Sequence, residues 1–479
     1  MRGYYTPDQV RDAERPLLDA GPSGALMRRA AHGLAAVVVG ELIAAVGGVV
    51  GREVCVLVGS GDNGGDGLWA GAMLRRRGVA VNAVLLKPDR AHAEGLAAFR
   101  RAGGRIVTRP GNPDLVVDAI VGISGQGPLR PDAAELVAGI EAPIVAADIP
   151  SGVDPETGAV DGPAVRAVVT VAFGARKPAH VLAVPYCGRI ELVDIGLDLP
   201  APSITAYEPS DVGALWPIPT AEDDKYSQGV VGIAAGSERY PGAALLCAGA
   251  AVAATSGMVR YAGSAAAEVV SHYPEVVAAA DPHSAGRVQA WAVGPGFGTG
   301  DASKHWLADI LSSDLPVVVD ADGLSILAAA PELVRGRSAP TLLTPHAGEF
   351  ERLTGAAPVP DRVSSVRSLA SEWGVTVLLK GRATVIAGPD GTVHINDAGG
   401  SAASTAGSGD VLSGILGALL AAGLDPSAAA ACGARVHALA ASTAAHGVDG
   451  EFAAPISASP LLAAVPDAIR IVRSVTSRV

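Results

Sequence analysis

The sequence has few cysteines and fewer basic than acidic side chains. Its four cysteines in 479 residues have no paired spacing, which excludes the usual zinc and dithiol motifs and favours reduced, buried thiols in a cytoplasmic protein. Basic residues number 36 against 48 acidic ones, giving a net charge of −12. This sign disfavours a surface for nucleic acid or anionic membranes, so we expect neither as a partner.

The sequence also lacks a convincing membrane span or signal peptide. Its longest apolar stretches, 34–50 and 243–259, are rich in alanine and glycine, and the first contains Glu41. We predict two helices packed against a sheet. The start has no apolar core of the signal-peptide kind. Instead, Thr6, Pro7 and Gln9 have the spacing of a helix start with a capping box.

What the sequence does have is a regular β/α rhythm. From about residue 50, short apolar runs alternate with longer amphipathic segments, which predicts parallel sheets. A proline-rich stretch at 199–219 interrupts this rhythm, and we place a linker between two domains at 212–222. The predicted strands are 54–58, 79–86, 115–117, 143–147, 229–234, 290–293, 317–319, 341–343 and 375–379.

Two glycine-rich turns, 59–67 and 406–410, each lead into a helical stretch. Glycines allow a tight turn and close approach, and N–H groups at a helix start attract anions, so we predict two phosphate-handling sites. Gly59, Gly61 and Gly64 also form a weak dinucleotide signature. It is weak because the loop contains aspartates that would repel a pyrophosphate and because the next strand ends in Lys87 rather than an acid.

Oxygen-rich turns follow three predicted strands of the first half. They contain Asp62, Asn63 and Asp66, then Asp118, then Asp148. Because ligands of open α/β sheets bind at the carboxyl edge, these turns are predicted to converge on one site able to hold a hard cation or sugar hydroxyls. Taken singly, each aspartate could equally be ordinary turn chemistry.

Residues 1–211 resemble the NAD(P)H-hydrate epimerase domain, through segments 5–11, 59–67 and 148–154 and through Asp118 with its glycine loop. The resemblance implies a potassium site formed by Asn63, Asp118 and Ser151, and a catalytic role for Asp148. It further implies that the hydrated nucleotide is bound by Asp62, Asn63, Gly64, Gly65, Asp66, Gly122, Ile123, Ser124, Gly125, Gln126, Gly127, Pro128 and Asp148. Two positions depart from the family pattern, with Asp62 where many relatives have Asn and Arg28 where many have Glu.

The second turn, 407–410, is typical of the anion hole and catalytic base of ribokinase-like enzymes. Backbone N–H groups would stabilise the transferred phosphoryl group while Asp410 accepts a hydroxyl proton. The alternative is that Asp410 only caps a helix.

Residues 223–479 resemble the ADP/ATP-dependent NAD(P)H-hydrate dehydratase family, through segments 317–324, 343–350, 378–384 and 407–410. The resemblance implies Asp410 as catalytic base and Mg²⁺ bound with ADP. The implied substrate contacts are Ala243, Gly298, His346 and Asp410, and the implied nucleotide contacts are Lys380, Gly381, Arg382, Ala383, Thr384 and Gly409. Residues 400–403 depart from the Asn-Pro-Gly-Met of many relatives.

Together these resemblances imply an α/β protein with a Rossmann-like three-layer αβα sandwich in 1–211 and a ribokinase-like α/β domain in 223–479. The first would epimerise the R and S hydrates of NADH and NADPH, and the second would dehydrate the S form with ADP, giving AMP and phosphate. The rival hypothesis is a vitamin or sugar kinase whose first domain is a non-catalytic binding module, as in RNA-decapping scaffolds. We expect a cytoplasmic homo-oligomer, and the choice between ADP and ATP stays open.

Overall fold

The computed structural model describes residues 1–20, 24–255, 257–397, 400–447, 450 and 453–476. Contacts divide the chain into two compact units. The N-terminal unit contains residues 3–204, and the C-terminal unit contains residues 205–479 together with residues 1–2.

The strands and helices follow the predicted rhythm. The strands are β1 Arg2–Tyr4, β2 Glu53–Val58, β3 Ala80–Leu85, β4 Arg105–Val107, β5 Leu115–Ala119, β6 Ile144–Ala147, β7 Val169–Phe173, β8 Arg189–Val193, β9 Ile204–Ala206, β10 Val230–Ala234, β11 Met258–Ala262, β12 Val277–Ala279, β13 Ala290–Val293, β14 Val317–Val319, β15 Thr341–Leu343, β16 Thr376–Leu379, β17 Ala383–Ala387 and β18 Val393–Asp397. The α-helices are α1 Pro7–Ala20, α2 Ala25–Val46, α3 Asp62–Arg76, α4 Ala93–Arg101, α5 Pro131–Ala138, α6 Ala179–Leu182, α7 Val184–Cys187, α8 Pro209–Leu215, α9 Pro241–Ala254, α10 Ala266–His272, α11 Asp301–Ser312, α12 Asp322–Ala329, α13 Ala347–Thr354, α14 Arg362–Trp373, α15 Ser408–Ala421, α16 Pro426–His446, α17 Ala458–Ala463 and α18 Val465–Thr476.

The N-terminal unit is a parallel sheet covered on both faces. Its strands run in the order β4-β3-β2-β5-β6-β7-β8, and every neighbouring pair is parallel. Alternate residues of β2 enter two cores: Val54, Val56 and Val58 pack in the core that α2 and α3 cover, and Cys55 and Leu57 pack in the core that α5 covers. This alternation produces the predicted three-layer sandwich, because side chains of a strand point to opposite faces in turn.

The first two helices confirm two features of the sequence. The capping box is present, because Gln9 donates its N–H to Thr6 Oγ1 (3.2 Å) and Thr6 donates its N–H to Gln9 Oε1 (3.0 Å). Of the helices in the described ranges, α2 alone has the length and composition to cross a membrane, and 33% of its apolar window is buried. Leu34, Val38 and Leu42 of α2 pack in one core with residues of the sheet, as predicted for 34–50, although the helix ends at Val46.

The C-terminal unit is a larger sheet with an alanine-rich helical core. Its strands run β18-β17-β16-β15-β14-β13-β10-β11-β12. β17 is antiparallel to its neighbours β16 and β18, and the other neighbouring pairs are parallel. Helices α9 and α15 pack so closely that a Cβ on Gly414 would lie 2.1 Å from the carbonyl oxygen of Cys247. Of the predicted apolar stretch 243–259, most is α9, its last residues begin β11, and Ser256 lies outside the described residues.

The predicted linker 212–222 begins inside α8, which belongs to the C-terminal unit. Val212 and Trp216 are buried in that unit's core, and the Trp216 indole N–H donates to the carbonyl of Ala254 at 3.0 Å. The functional boundary between domains stays a prediction, but the packing favours keeping everything after Ile204 with the C-terminal unit.

Two candidate active sites

The first glycine turn follows β2 and is glycine-rich for steric reasons. A Cβ on Gly59 would lie 1.7 Å from the carbonyl oxygen of Ile120, and one on Gly64 would lie 2.4 Å from that of Gly59. Helix α3 then begins at Asp62 and buries Asn63 and Asp66 in its first turns. Asn63 Nδ2 and Asp66 Oδ1 are buried without a hydrogen-bond partner among the described residues. Unpaired buried polar atoms of this kind are costly unless a ligand satisfies them.

Asp118 and Ser151 form a hydrogen-bonded pair next to this turn. Ser151 donates its hydroxyl to Asp118 Oδ1 (2.7 Å) and its N–H to Oδ2 (2.8 Å), and Ile120 donates its N–H to Oδ1 (3.1 Å). Burial raises the pKa of Asp118 to about 6 although these bonds act in the opposite direction. A Cβ on Gly122, three residues after the end of β5, would lie 3.3 Å from Asn63 Oδ1. The fold therefore brings Asn63 to the loop that follows Asp118.

Asp148 stands at the end of β6 in a strained backbone conformation. Its φ of 66° is rare for a residue with a side chain and costs of order 1 kcal/mol. Its Oδ1 lies 2.5 Å from Lys177 Nζ and accepts the N–H of Phe173 at 3.0 Å. His180 Nε2 lies 2.8 Å from the Asp148 carbonyl oxygen. The Lys177 side chain is 1% exposed, so it forms a sealed ion pair with the predicted catalytic aspartate.

The sequence-based reasoning missed Lys177, His180 and Glu14. Helix α1 brings Glu14 to the site. Arg11 of the same helix donates to the carbonyl of Ile123 (3.2 Å), in the loop that follows β5. Burial, then the charge of Asp148, raises the pKa of Glu14. Burial, then Asp148 and other carboxylates, also raises the pKa of Asp66. The site therefore gathers two carboxyl groups with raised pKa values, those of Glu14 and Asp66, beside the Asp148–Lys177 ion pair.

The predicted substrate-binding segments fall in two places. Residues 124–128 line a cavity of about 500 Å³ together with Gly59, Ser60 and Gly152. Residues 62–66 and Asp148 do not line this cavity. Asp62, Asp66 and Asp148 belong instead to a cluster of carboxylates with Glu14, which act on one another's pKa values.

The second glycine turn opens on a cavity of about 600 Å³ in the C-terminal unit. Gly407 has a φ of 84° and precedes α15, so Asp410 is the third residue of that helix. The first N–H groups of a helix have no partner within the helix and point towards an incoming anion. Of the predicted residues, the cavity brings together His346, Lys380, Gly381, Arg382, Thr384, Gly409 and Asp410.

Lys380 joins the acidic groups beside this turn. Its Nζ lies 2.7 Å from Asp320 Oδ1 and 3.6 Å from Glu349 Oε2. Burial lowers the pKa of Lys380, but the charges of Asp320 and Glu349 outweigh it and raise that pKa, so the ammonium stays charged. Ser413 donates its hydroxyl to Asp320 Oδ2 at 2.6 Å. A Cβ on Gly409 would lie 3.6 Å from Lys380 Nζ, which places this positive charge against the predicted anion hole.

Asp410 has the protonation behaviour of a base that works near neutral pH. Burial, then the charge of Asp320, raises its pKa to about 7, while Lys380 acts in the opposite direction. A general base is most effective when its pKa lies near the working pH. The alternative that Asp410 only caps the helix is disfavoured, because it is a residue inside α15 while Gly407 is the cap.

The other predicted contacts of the C-terminal unit lie at the edge of this cavity or outside it. His346 caps α13, accepting the N–H of Gly348 (3.0 Å) and of Glu349 (3.3 Å), and its side chain is 57% exposed. Gly298 donates its N–H to Asp322 Oδ2 at 2.8 Å. Ala243, Gly298 and Ala383 do not line the 600 Å³ cavity. Their contacts with ligands stay predictions.

Asp320, Ser413 and His437 are site residues that the sequence-based reasoning did not assign. His437 Nε2 lies 2.8 Å from the carbonyl oxygen of Ser408, and burial lowers its pKa to about 4. It lies in the alanine-rich α16, where no motif marks it. Asp320 could have been found, because it follows a predicted strand in the way that Asp118 does.

Each unit thus pairs a strand-end aspartate with a lysine and has a glycine turn that opens a helix, which is the usual binding place of a nucleotide phosphate. The C-terminal unit is ribokinase-like. A family model described as NAD(P)H-hydrate dehydratase matches residues 231–454, and one described as YjeF-related protein N-terminus matches residues 23–179.

The relatives match across both units. The bifunctional NAD(P)H-hydrate repair enzyme Nnr of Mycobacterium tuberculosis H37Rv is 61% identical over 435 residues, covering 90% of this chain and 92% of that protein. The enzyme of the same name from Mycobacterium leprae is 58% identical and covers 98% and 99%. This chain belongs to the family of bifunctional NAD(P)H-hydrate repair enzymes.

A solved structure resembles the C-terminal unit. It is the ADP/ATP-dependent NAD(P)H-hydrate dehydratase of Bacillus subtilis, co-crystallised with ATP and Mg²⁺. It is 27% identical, with a TM-score of 0.50, and covers 56% of this chain and 98% of its own.

Proposed function

We propose that the chain repairs hydrated nicotinamide nucleotides in two steps. The N-terminal unit interconverts the R and S hydrates of NADH and NADPH. The C-terminal unit dehydrates the S form at the expense of ADP, releasing AMP and phosphate. The observation that carries this proposal is Asp410, poised near neutral pH in the first turn of α15 with Lys380 beside the same turn.

The dehydration begins with removal of a proton by Asp410. The ring hydroxyl of the hydrate loses its proton to the carboxylate, and its oxygen attacks the terminal phosphorus of the nucleotide while the bond to AMP breaks. The carbon–oxygen bond then breaks, phosphate leaves, and loss of a proton from the neighbouring carbon restores the nicotinamide double bond. Phosphate is a far better leaving group than hydroxide, which explains why a nucleotide is consumed.

Lys380 and the first turn of α15 stabilise the negative charge of this transfer. The ammonium is held by Asp320 at 2.7 Å, and Ser413 fixes the other oxygen of that aspartate at 2.6 Å. Such preorganised donors act where charge develops on the transferred phosphoryl group. Mg²⁺ enters with the nucleotide as part of the substrate, in line with the ATP and Mg²⁺ of the Bacillus subtilis crystals.

Epimerisation requires a bond at the hydroxyl-bearing carbon to break and form again on the other face. Asp148, paired with Lys177, is the proposed proton acceptor, and Glu14 and Asp66, whose pKa values are raised, are the proposed donors. The oxygens of Asn63, Asp118 and Ser151 fit a monovalent cation, since they carry a single carboxylate. Potassium bound there would anchor a nucleotide phosphate near the glycine turn.

An ordinary vitamin or sugar kinase is the competing function for the C-terminal site. Such a kinase would leave a stable phosphorylated product, whereas a dehydratase releases phosphate. The family match across both units favours repair over a kinase with a silent N-terminal module. A cytoplasmic, oligomeric enzyme and the use of ADP rather than ATP are parts of the proposal. The four cysteines, all of them described by the structure, are buried and form no disulfide, which supports the cytoplasm.

The test is incubation of the full chain with prepared NADH hydrate, with ADP or with ATP. We expect the absorbance of reduced nicotinamide to return, with one phosphate released for each NADH formed. A mixture of the R and S hydrates should be consumed completely, because epimerisation feeds the S form. A stable phosphorylated hydrate, or no return of absorbance with either nucleotide, would contradict the proposal.

A further inference from the structure

The cavity of about 500 Å³ in the N-terminal unit has a basic lining that the proposed chemistry does not use. Lys87, Arg90 and Arg130 line it, against the single acid Asp132. The ends of β2, β3 and β5 meet there. This is where the order of the sheet reverses, the position at which doubly wound sheets bind nucleotides.

These three cations are available to a ligand. Within the described part of the chain, the side chains of Lys87, Arg90 and Arg130 form no ion pair or hydrogen bond. Their backbones are well fixed: the Arg90 N–H donates to the Lys87 carbonyl (3.0 Å), and Leu129, next to Arg130, donates to the carbonyl of Pro163 (2.8 Å). In a protein of net charge −12, a concave surface with a surplus of positive groups marks a place for an anion.

The position of Lys87 indicates which anion. In dinucleotide-binding sheets, the strand after the glycine-turn helix ends at the adenosine ribose, with an acid for the 2′-hydroxyl or a basic residue for a 2′-phosphate. Here that strand is β3, and Lys87 comes two residues after its end. The diphosphate is common to both hydrates. The proposed potassium ion, which offsets the aspartates of the glycine turn, would hold it there, so Lys87, Arg90 and Arg130 are left for a further phosphate.

We propose that Lys87, Arg90 and Arg130 bind the 2′-phosphate of NADPH hydrate, so that the epimerase unit prefers this substrate to NADH hydrate. The proposal rests on the proposed function, since it deepens the substrate choice of the same unit. A phosphate monoester carries nearly two charges and several acceptor oxygens, which guanidinium groups bind in a bidentate way. No acid of the carboxylate cluster Glu14, Asp62, Asp66 and Asp148 lines this cavity to oppose it.

The first experiment compares epimerisation of both hydrates by Lys87→Ala, Arg90→Ala and Arg130→Ala in the full chain. We expect the KM for NADPH hydrate to rise roughly 10-fold in each variant, with kcat unchanged and the KM for NADH hydrate within about twofold of wild type. Arg101→Ala, at the exposed end of α4, is the matched control and should change neither. An equal loss for both hydrates, or no loss for either, would overturn the assignment.

The second experiment does not depend on epimerase activity. Calorimetry with adenosine 2′,5′-bisphosphate and with 5′-AMP measures the preference for a 2′-phosphate, and the difference between wild type and each variant cancels binding at the C-terminal unit. We expect wild type to prefer the bisphosphate and the variants to lose that preference. If the preference is present but neither hydrate is epimerised, the proposed function fails and the phosphate site stands. If both hydrates are epimerised without any preference, the phosphate site is wrong.

Discussion

The two sites are built alike but differ in how far their lysines are exposed. In each, a lysine pairs with an aspartate that follows a parallel strand, and a non-glycine residue at that strand end has positive φ: Asp148 (66°) in one and Ala321 (49°) in the other. The Lys177 side chain is 1% exposed, whereas that of Lys380 is 21% exposed and lines the cavity. A fully buried lysine can only pair with its aspartate, whereas a partly exposed lysine can also contact a phosphate group.

The two sites also differ in which of their carboxyl groups have raised pKa values. In the C-terminal site, Asp320 and Glu349 lie beside Lys380, and the pKa of Asp410 is raised to about 7. The N-terminal site shares its charge among several carboxyls, of which Glu14 and Asp66 have raised pKa values. One arrangement suits a single proton removal coupled to phosphoryl transfer, and the other suits a proton donor and acceptor in one pocket.

The sharpest way to separate the two sites is Asp410→Asn. The amide cannot accept the hydroxyl proton but nearly preserves the shape of the side chain, so we expect dehydration to fall roughly 10²- to 10⁴-fold. Epimerisation should stay at the wild-type rate, because its proposed acid and base belong to the other unit. Parallel assays of S-hydrate consumption and of R to S conversion check both. Dehydration within a few-fold of wild type would remove Asp410 from the role of base.

The independence of the units is tested by Trp216→Ala, with Leu215→Ala as its control. Trp216 is 3% exposed in the C-terminal core, and Leu215 is 44% exposed. Loss of a buried tryptophan costs about 3–5 kcal/mol. We expect the variant to lose dehydratase activity at a lower urea concentration than wild type, while its epimerase activity is lost at the same urea concentration as in wild type.

The same packing is tested by two fragments. Fragment 223–479 lacks α8 and should lose dehydratase activity at a lower urea concentration than fragment 205–479. Equal stability of both fragments would support the boundary at 212–222 instead.

The cation site is tested by Asp118→Ala. The change removes the acceptor of the Ser151 hydroxyl and N–H and the only carboxylate of the proposed potassium site. Because hydrogen bonds to a charged group are worth about 1.5–3 kcal/mol, we expect hydrate binding and epimerisation to weaken roughly 10- to 100-fold, with dehydration unaffected. Asp161→Ala, at an exposed position of the same unit, is the control. Wild type should be faster in potassium than in tetramethylammonium; equal rates would exclude a working cation.

Much of this fold was predictable because its strands are short apolar runs separated by turn residues. The predicted strands 290–293, 317–319 and 341–343 coincide with β13, β14 and β15. The boundary between units was harder to predict. Proline marks α8 as a break in the rhythm, but only tertiary packing of Val212 and Trp216 shows to which unit it belongs.

Site residues that belong to a local sequence motif were predictable. Those that reach the site only through tertiary packing were not. Asp410 is marked by its glycine turn, and the structure places it in the cavity with Lys380. Lys177 and Glu14 have no local pattern, since Lys177 meets Asp148 across 29 residues and Glu14 reaches the site only through the packing of α1. Such long-range pairs follow from the fold, so a sequence pattern cannot reveal them.

The smallest expected effect is on the pH dependence of dehydration, which the pKa of Asp410 should set. A base works only when ionised, and the pKa of Asp410 is raised to about 7, so dehydration should fall about tenfold per pH unit as pH drops below 7 and level off above it. The charge of Asp322 contributes to this rise. Asp322→Asn, which keeps an acceptor for the Gly298 N–H, should therefore move the midpoint to lower pH while the plateau rate changes little. Rates at saturating hydrate and nucleotide between pH 5 and 9 give both profiles. A midpoint that stays fixed in Asp322→Asn, or an acid limb that survives in Asp410→Asn, would mean that another group carries the titration.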